Sequence, residues 1–168
     1  MRNNVRGLFI HLLITALIFG LSFIINLSPA VVKLLYGNRI FCVVAALLPL
    51  LLYYLFGGWL SKFQNPKLDF FAGNIIVLLG VVLGLFSLIG FTRPENADVA
   101  GTLFRLPMDM FLFAQIYSLK VLGLQAGHIA LLGTSFVPGI IFGIRIKQDR
   151  GRISRHRRRR PREMRGRR

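Results

Sequence analysis

Four stretches of this 168-residue chain contain no Asp, Glu, Lys or Arg, and they constrain its fold more than any other feature. They lie between Arg6 and Lys33 (26 residues), Arg39 and Lys62 (22), Asp69 and Arg93 (23), and Lys120 and Arg145 (24). A bilayer's hydrocarbon core is about 30 Å thick and takes roughly 20 apolar residues of helix to cross. Inside it no water satisfies the backbone, so a chain crosses as helices or as a closed barrel. Barrel strands alternate apolar and polar residues, and the run Ile75-Ile76-Val77-Leu78-Leu79 does not. The reading is an all-α polytopic membrane protein with four transmembrane helices, over about 8–27, 40–60, 70–91 and 121–144. The first run, Leu8 to Leu27, exceeds the apolar core of a secretion signal, and three more follow it, so it reads as an anchor.

A fifth apolar segment, 14 residues between Arg105 and Lys120, is interrupted by Asp109. As a helix it would reach only about 21 Å. Leu106, Met110, Phe113 and Tyr117 recur at helical spacing. Residues 103–119 are therefore expected to form a short interfacial or re-entrant helix at the outer surface.

Charge sets the expected orientation. The chain carries 22 Lys and Arg against 6 acids, a formal net charge of +16. From Arg145 onward there are 13 basic residues and two acids, so residues 145–168 form a basic tail on an apolar body. Basic residues gather on the cytosolic side of spans. That places the tail, residues 1–6 and the loop with Lys62 and Lys67 in the cytosol, with Ser28–Arg39 and Thr92–Lys120 outside. A fifth span would put the tail outside. The expected location is a bacterial plasma membrane.

The tail has no aromatic residue and little to bury, so it is expected to be disordered alone. Its contacts would come from Arg155, Arg157, Arg158, Arg159 and Arg160. Anionic inner-leaflet phospholipids would contribute about 1 kcal/mol per basic residue. An acidic protein partner is an alternative. RNA is another, through phosphates and without base choice, because stacking platforms are absent.

Within the spans, small residues let helices approach closely. Gly73, Gly80 and Gly84 share one face of the third span, and Gly123/Gly127 and Gly139/Gly143 are paired in the fourth. These faces suit either packing within the bundle or a homo-oligomer. Pro49 and Pro138 fall mid-span and each removes a backbone donor, with the Thr134 and Ser135 hydroxyls placed to repair the second break.

Chemistry concentrates in the outer segment. Arg105 and Asp109 are one helical turn apart, and Arg93 follows the third span. With His128, and with Gln125 and Ser135 on nearly the same helical face, they could hold a phosphate-bearing headgroup. Arg93, Arg105, Gln125 and Ser135 would be ligand-binding, with His128 and Asp109 the catalytic candidates. His11 falls in the first turns of the first span, and Asn74 and Gln115 are uncharged polar residues in apolar surroundings. The lone Cys42 reads as a small hydrophobe. No metal-ligand spacing and no cofactor motif is present. No carboxylate sits mid-span, against a proton-coupled carrier of the usual kind.

In outline the four-span, short-loop plan resembles small multidrug-type carriers and some holins. The mid-span glutamate of those carriers and any specific holin motif are absent here, so the resemblance implies neither activity. The first functional reading is a small membrane subunit or accessory protein acting by helix packing and through its tail. The others are an outer-leaflet lipid-headgroup enzyme or transporter, and a small oligomeric channel or carrier.

Overall fold

The computed structural model describes residues 2–60, 66–91 and 97–165. Helix α1 spans Arg2–Asn26, α2 Pro29–Tyr36 and α3 Arg39–Phe56, which runs on into a 3-10 turn at Gly57–Trp59. A 3-10 stretch, Pro66–Gly73, leads into α4 (Asn74–Phe91). Then come α5 (Ala97–Phe111), α6 (Phe113–Val121), α7 (His128–Thr134) and α8 (Val137–Arg165). Four helical segments are long and apolar enough to cross a membrane: Asn3–Asn26, Arg39–Trp59, Asp69–Leu88 and Ile129–Arg155. At most 39% of any such window is buried within the bundle. The remainder turns large side chains such as Phe23, Ile40, Leu78 and Ile129 outward, as contact with lipid requires.

The four-residue spacing of Ile10, Ile14 and Ile18 lays one stripe along α1, and that stripe enters the core with Tyr53, Ile76 and Phe142. Gly7 of α1 meets the carbonyl of Ala72 just before α4, so these two helices run parallel. Helices α3 and α7–α8 run against them. The end where α1 begins and α8 departs is called the base here, and the opposite end the top.

Glycine governs the contact of α4 with α7 and α8. A Cβ at Gly73 would overlap the Gly139 backbone, and one at Gly80 would lie 2.9 Å from the Ser135 Cβ. At Gly84 it would lie 2.7 Å from a Leu132 methyl. Such approach lets dispersion contacts form where lipid supplies no hydrophobic drive. The expected glycine face on α4 is thus used inside the bundle.

The fourth span departs from its expected limits, 121–144. Residues 122–127 are not helical, and Gly123 has φ +74, a left-handed conformation natural to glycine. Gly127 is the N-cap of α7. Lack of charge marked this stretch as apolar but could not reveal that its two glycines break the helix. At the other end the span runs through Arg145, because that arginine lies 3.4 Å from Asp149 and 4.7 Å from the face of Tyr54. One turn further, Arg150 donates to the buried Asp69 at 2.7 Å. Pro138 sits in the first turn of α8, where its missing N–H costs no helical bond. The Thr134 and Ser135 hydroxyls donate to the carbonyls of Leu131 and Leu132 at that junction.

Two further expectations change. Residues 103–119 take the re-entrant form, as two helices and not one. They belong to α5 and α6, which break at Leu112, and Met108, Leu112 and Ala114 are fully buried. Helix α5 descends beside α4, with Phe104 against Phe86 and Met108 against Ser87. Helix α6 then climbs beside α1, from Phe113 at Phe19 to Lys120 near Asn26. The pair is a hairpin that enters and leaves at the top. The basic tail, expected to lack regular structure, continues α8 to Arg165. The packed span has already met the cost of helix nucleation, and arginine is a good helix former, so propagation is cheap.

Candidate functional site

The break between α5 and α6 creates a chemical problem at the bundle centre. The Gln115 N–H turns to the carbonyl of Leu112, so the Phe111 carbonyl has no helical partner. An unsatisfied carbonyl in an apolar interior costs about 1–3 kcal/mol. His11 of α1 answers it, with Nε2 at 2.9 Å from the Phe111 oxygen. That nitrogen faces an acceptor and therefore carries the hydrogen, which leaves Nδ1 as an acceptor. The Tyr53 hydroxyl donates to Nδ1 at 2.7 Å, and the Gln115 amide donates to the Tyr53 oxygen at 3.3 Å. A directed chain results, Gln115 to Tyr53 to His11 to Phe111, linking α6, α3, α1 and α5. Thr15, one turn above His11, places its hydroxyl beside that of Tyr53 without meeting hydrogen-bond geometry. The Oε1 of Gln115 is buried without a partner.

Above this network a cleft of about 540 Å³ opens at the top between α1, α6 and the α2–α3 corner. Phe113, Ile116 and Val121 give it an apolar wall, and Ser22, Asn26, Tyr36 and Tyr117 add polar groups. Lys120, in the last turn of α6, is the one cation among its lining residues, which include no acid. Cys42 also lines it, donating weakly to the Tyr36 carbonyl at 3.4 Å.

The residues expected to form an outer site are only partly brought together. Arg105 donates through Nε to both Asp109 oxygens, at 3.0 and 3.1 Å, and through Nη2 to the Ala126 carbonyl at 2.7 Å. These bonds tie α5 to the loop before α7. Gln125 is exposed in that loop. Ser135 is buried away from them, against Gly80. His128 begins α7, while its side chain and all of Arg93 lie outside the described residues. The side chains of Arg157, Arg158, Arg159 and Arg160 also lie outside, whereas Arg155 is exposed.

Sequence reasoning passed over His11 and Tyr53. The available signal was an ionisable residue inside a span, and His11 had been placed close to the cytosolic edge, where such a group is cheap. Its true position, on the stripe with Ile10 and Ile14, needed knowledge of which face of α1 is covered. Tyr53 carried no signal, because its partners come from three other helices. Among the described residues no three His, Cys, Asp or Glu side chains gather as a metal site would need. Comparison with protein-family models, with curated proteins and with solved structures finds no match to this chain.

Proposed function

We propose that this four-span membrane protein binds one amphiphilic molecule in the cleft between α1 and α6. Its chain would lie along Phe113 and Ile116, and its anionic headgroup would meet Lys120. The observation that carries the reading is the cleft's mixed lining, an apolar wall of Phe113, Ile116 and Val121 beside hydroxyls, an amide and one cation, Lys120. Basic residues at the base (Arg6, Lys147, Arg152 and Arg155) favour a cytosolic base, which would put the cleft in the outer leaflet of a bacterial plasma membrane. Hydroxyls, amides and one amine suit holding a lipid better than breaking a bond. This is preferred to the outer cluster around Arg105, whose Nε and Nη2 already bond Asp109 and the Ala126 carbonyl.

The test is extraction in mild detergent followed by mass spectrometry of bound lipid. Wild-type protein should retain about one amphiphile per chain. Ser22→Trp, which fills the cleft from α1, should lose it, and Lys120→Ala should retain less. Wild-type protein without bound amphiphile, or a Ser22→Trp variant that keeps it, would contradict the reading.

The α8 extension favours a second reading, a subunit that docks through its tail. At 1.5 Å per residue the helix rises about 15 Å from Arg155 to Arg165. A membrane's own surface potential fades within roughly 8 Å. The distal arginines therefore suit an acidic protein partner better than the adjacent leaflet. Capture of an acidic membrane-associated protein by the full chain, lost when residues 156–168 are deleted, would support this. Equal capture by the truncated chain would dispose of it.

A further inference from the structure

We propose that the bundle centre is a proton-binding site, in which His11 takes the proton and the Tyr53 hydroxyl reverses to accommodate it. The hydrogen-bond arrangement is the ground for this. In the neutral state each donor of the chain has an acceptor: Gln115 Nε2 to Tyr53, Tyr53 to His11 Nδ1, and His11 Nε2 to the Phe111 carbonyl. Two buried oxygens, Thr15 Oγ1 and Gln115 Oε1, remain without partners, and both residues reach towards the Tyr53 hydroxyl. Acceptors left vacant beside a donor are uncommon in a native core and call for an explanation.

Those vacancies are what a second state requires. A proton arriving at Nδ1 forms one N–H bond and breaks none. The imidazolium then donates to the Tyr53 oxygen, and the Tyr53 O–H turns away. It can donate to Thr15 Oγ1, or to Gln115 Oε1 once that carboxamide has turned by half a revolution. The Nε2–H to Phe111 bond persists in both states, so the hairpin tip stays pinned.

The groups facing His11 can be named element by element. Helix α3 contributes the Tyr53 phenol, α5 the Phe111 carbonyl and ring, α6 the Gln115 amide through Tyr53, and α8 the apolar Phe142 ring behind Tyr53. Among the described residues no charged side chain bears on the imidazole. The positive charge would instead be met by the last carbonyl of α5, at the negative end of a 15-residue helix. Where Gln115 is the acceptor, the rearrangement falls on α6, the helix that walls the cleft.

The full chain carrying His128→Asn and His156→Asn leaves His11 as its sole histidine. Ring nitrogen NMR of this protein in lipid nanodiscs, from about pH 8 to pH 3, reads its state directly. The expected result is a single tautomer with hydrogen on Nε2 at the upper end. Both nitrogens should be protonated at the lower end, reversibly, with Trp59 fluorescence unchanged. Adding Thr15→Val and Gln115→Leu removes the vacant acceptors and should abolish the reversible titration. A wild-type His11 that stays neutral throughout, or is protonated only as the bundle unfolds, overturns the proposal. So does a Thr15→Val/Gln115→Leu protein that titrates as the parent does. The wild-type titration decides the matter even if that variant fails to fold.

Discussion

The Nδ1 of His11 and the hydroxyl of Tyr53 stand 2.7 Å apart at the centre of the bundle, both almost wholly buried. The same imidazole holds the carbonyl at the end of α5, so His11 joins α1 to α3 and to the hairpin. His11→Leu keeps an apolar body but leaves that carbonyl and the Tyr53 hydroxyl unpaired. It should lower stability by about 1–3 kcal/mol per orphaned group. Tyr53→Phe keeps the Phe111 bond but leaves His11 Nδ1 and the Gln115 amide unpaired, so its loss should be comparable. Denaturant unfolding in detergent measures both. A His11→Leu protein as stable as wild type would mean that the network holds nothing together.

The crossing of α8 with the 3-10 stretch before α4 gives a paired expectation at glycine. A side chain at Gly73 must displace backbone at Gly139, which cannot move cheaply. Gly73→Val should cost roughly 1–3 kcal/mol, the usual range for overpacking, or prevent assembly of the bundle. Gly20 meets nothing within 4 Å, so Gly20→Val should leave stability nearly unchanged. Equal effects at the two positions would show that the crossing is not as close as described.

Arg105 and Asp109 should behave as a fastening. Their side chains are 31% and 37% exposed, and an ion pair so wetted contributes no more than about 1 kcal/mol. Asp109→Asn should therefore be nearly neutral in unfolding. Arg105→Ala also frees the Ala126 carbonyl, so hydrogen exchange should quicken in residues 122–127 while the spans stay protected. Unchanged exchange in that loop would remove Arg105 from its role as a tie.

Four spans were legible because the bilayer demands long charge-free helices, and such runs can be counted along a chain. The glycine face of α4 was legible for a similar reason: Gly73, Gly80 and Gly84 repeat at helical spacing. The hairpin was only half visible. Leu106, Met110, Phe113 and Tyr117 gave one helical stripe, but the break at Leu112 carries neither glycine nor proline to announce it. The Phe111 carbonyl it exposes is answered by a residue 100 positions away, and no local pattern encodes such a partner. For the tail, composition describes an isolated segment, whereas here residues 145–165 continue a helix already formed.

The central claim is that α5 and α6 turn back inside the bundle and do not cross it. Single cysteines at Lys33, Gln125 and Arg152, introduced with Cys42→Ser into the full chain, test it when treated with a membrane-impermeant thiol reagent on oriented membranes. Lys33→Cys and Gln125→Cys should be labelled from the same side and Arg152→Cys from the opposite one. Labelling of Lys33→Cys and Arg152→Cys from one side, with Gln125→Cys labelled from the other, would make residues 97–121 a fifth crossing and contradict the account.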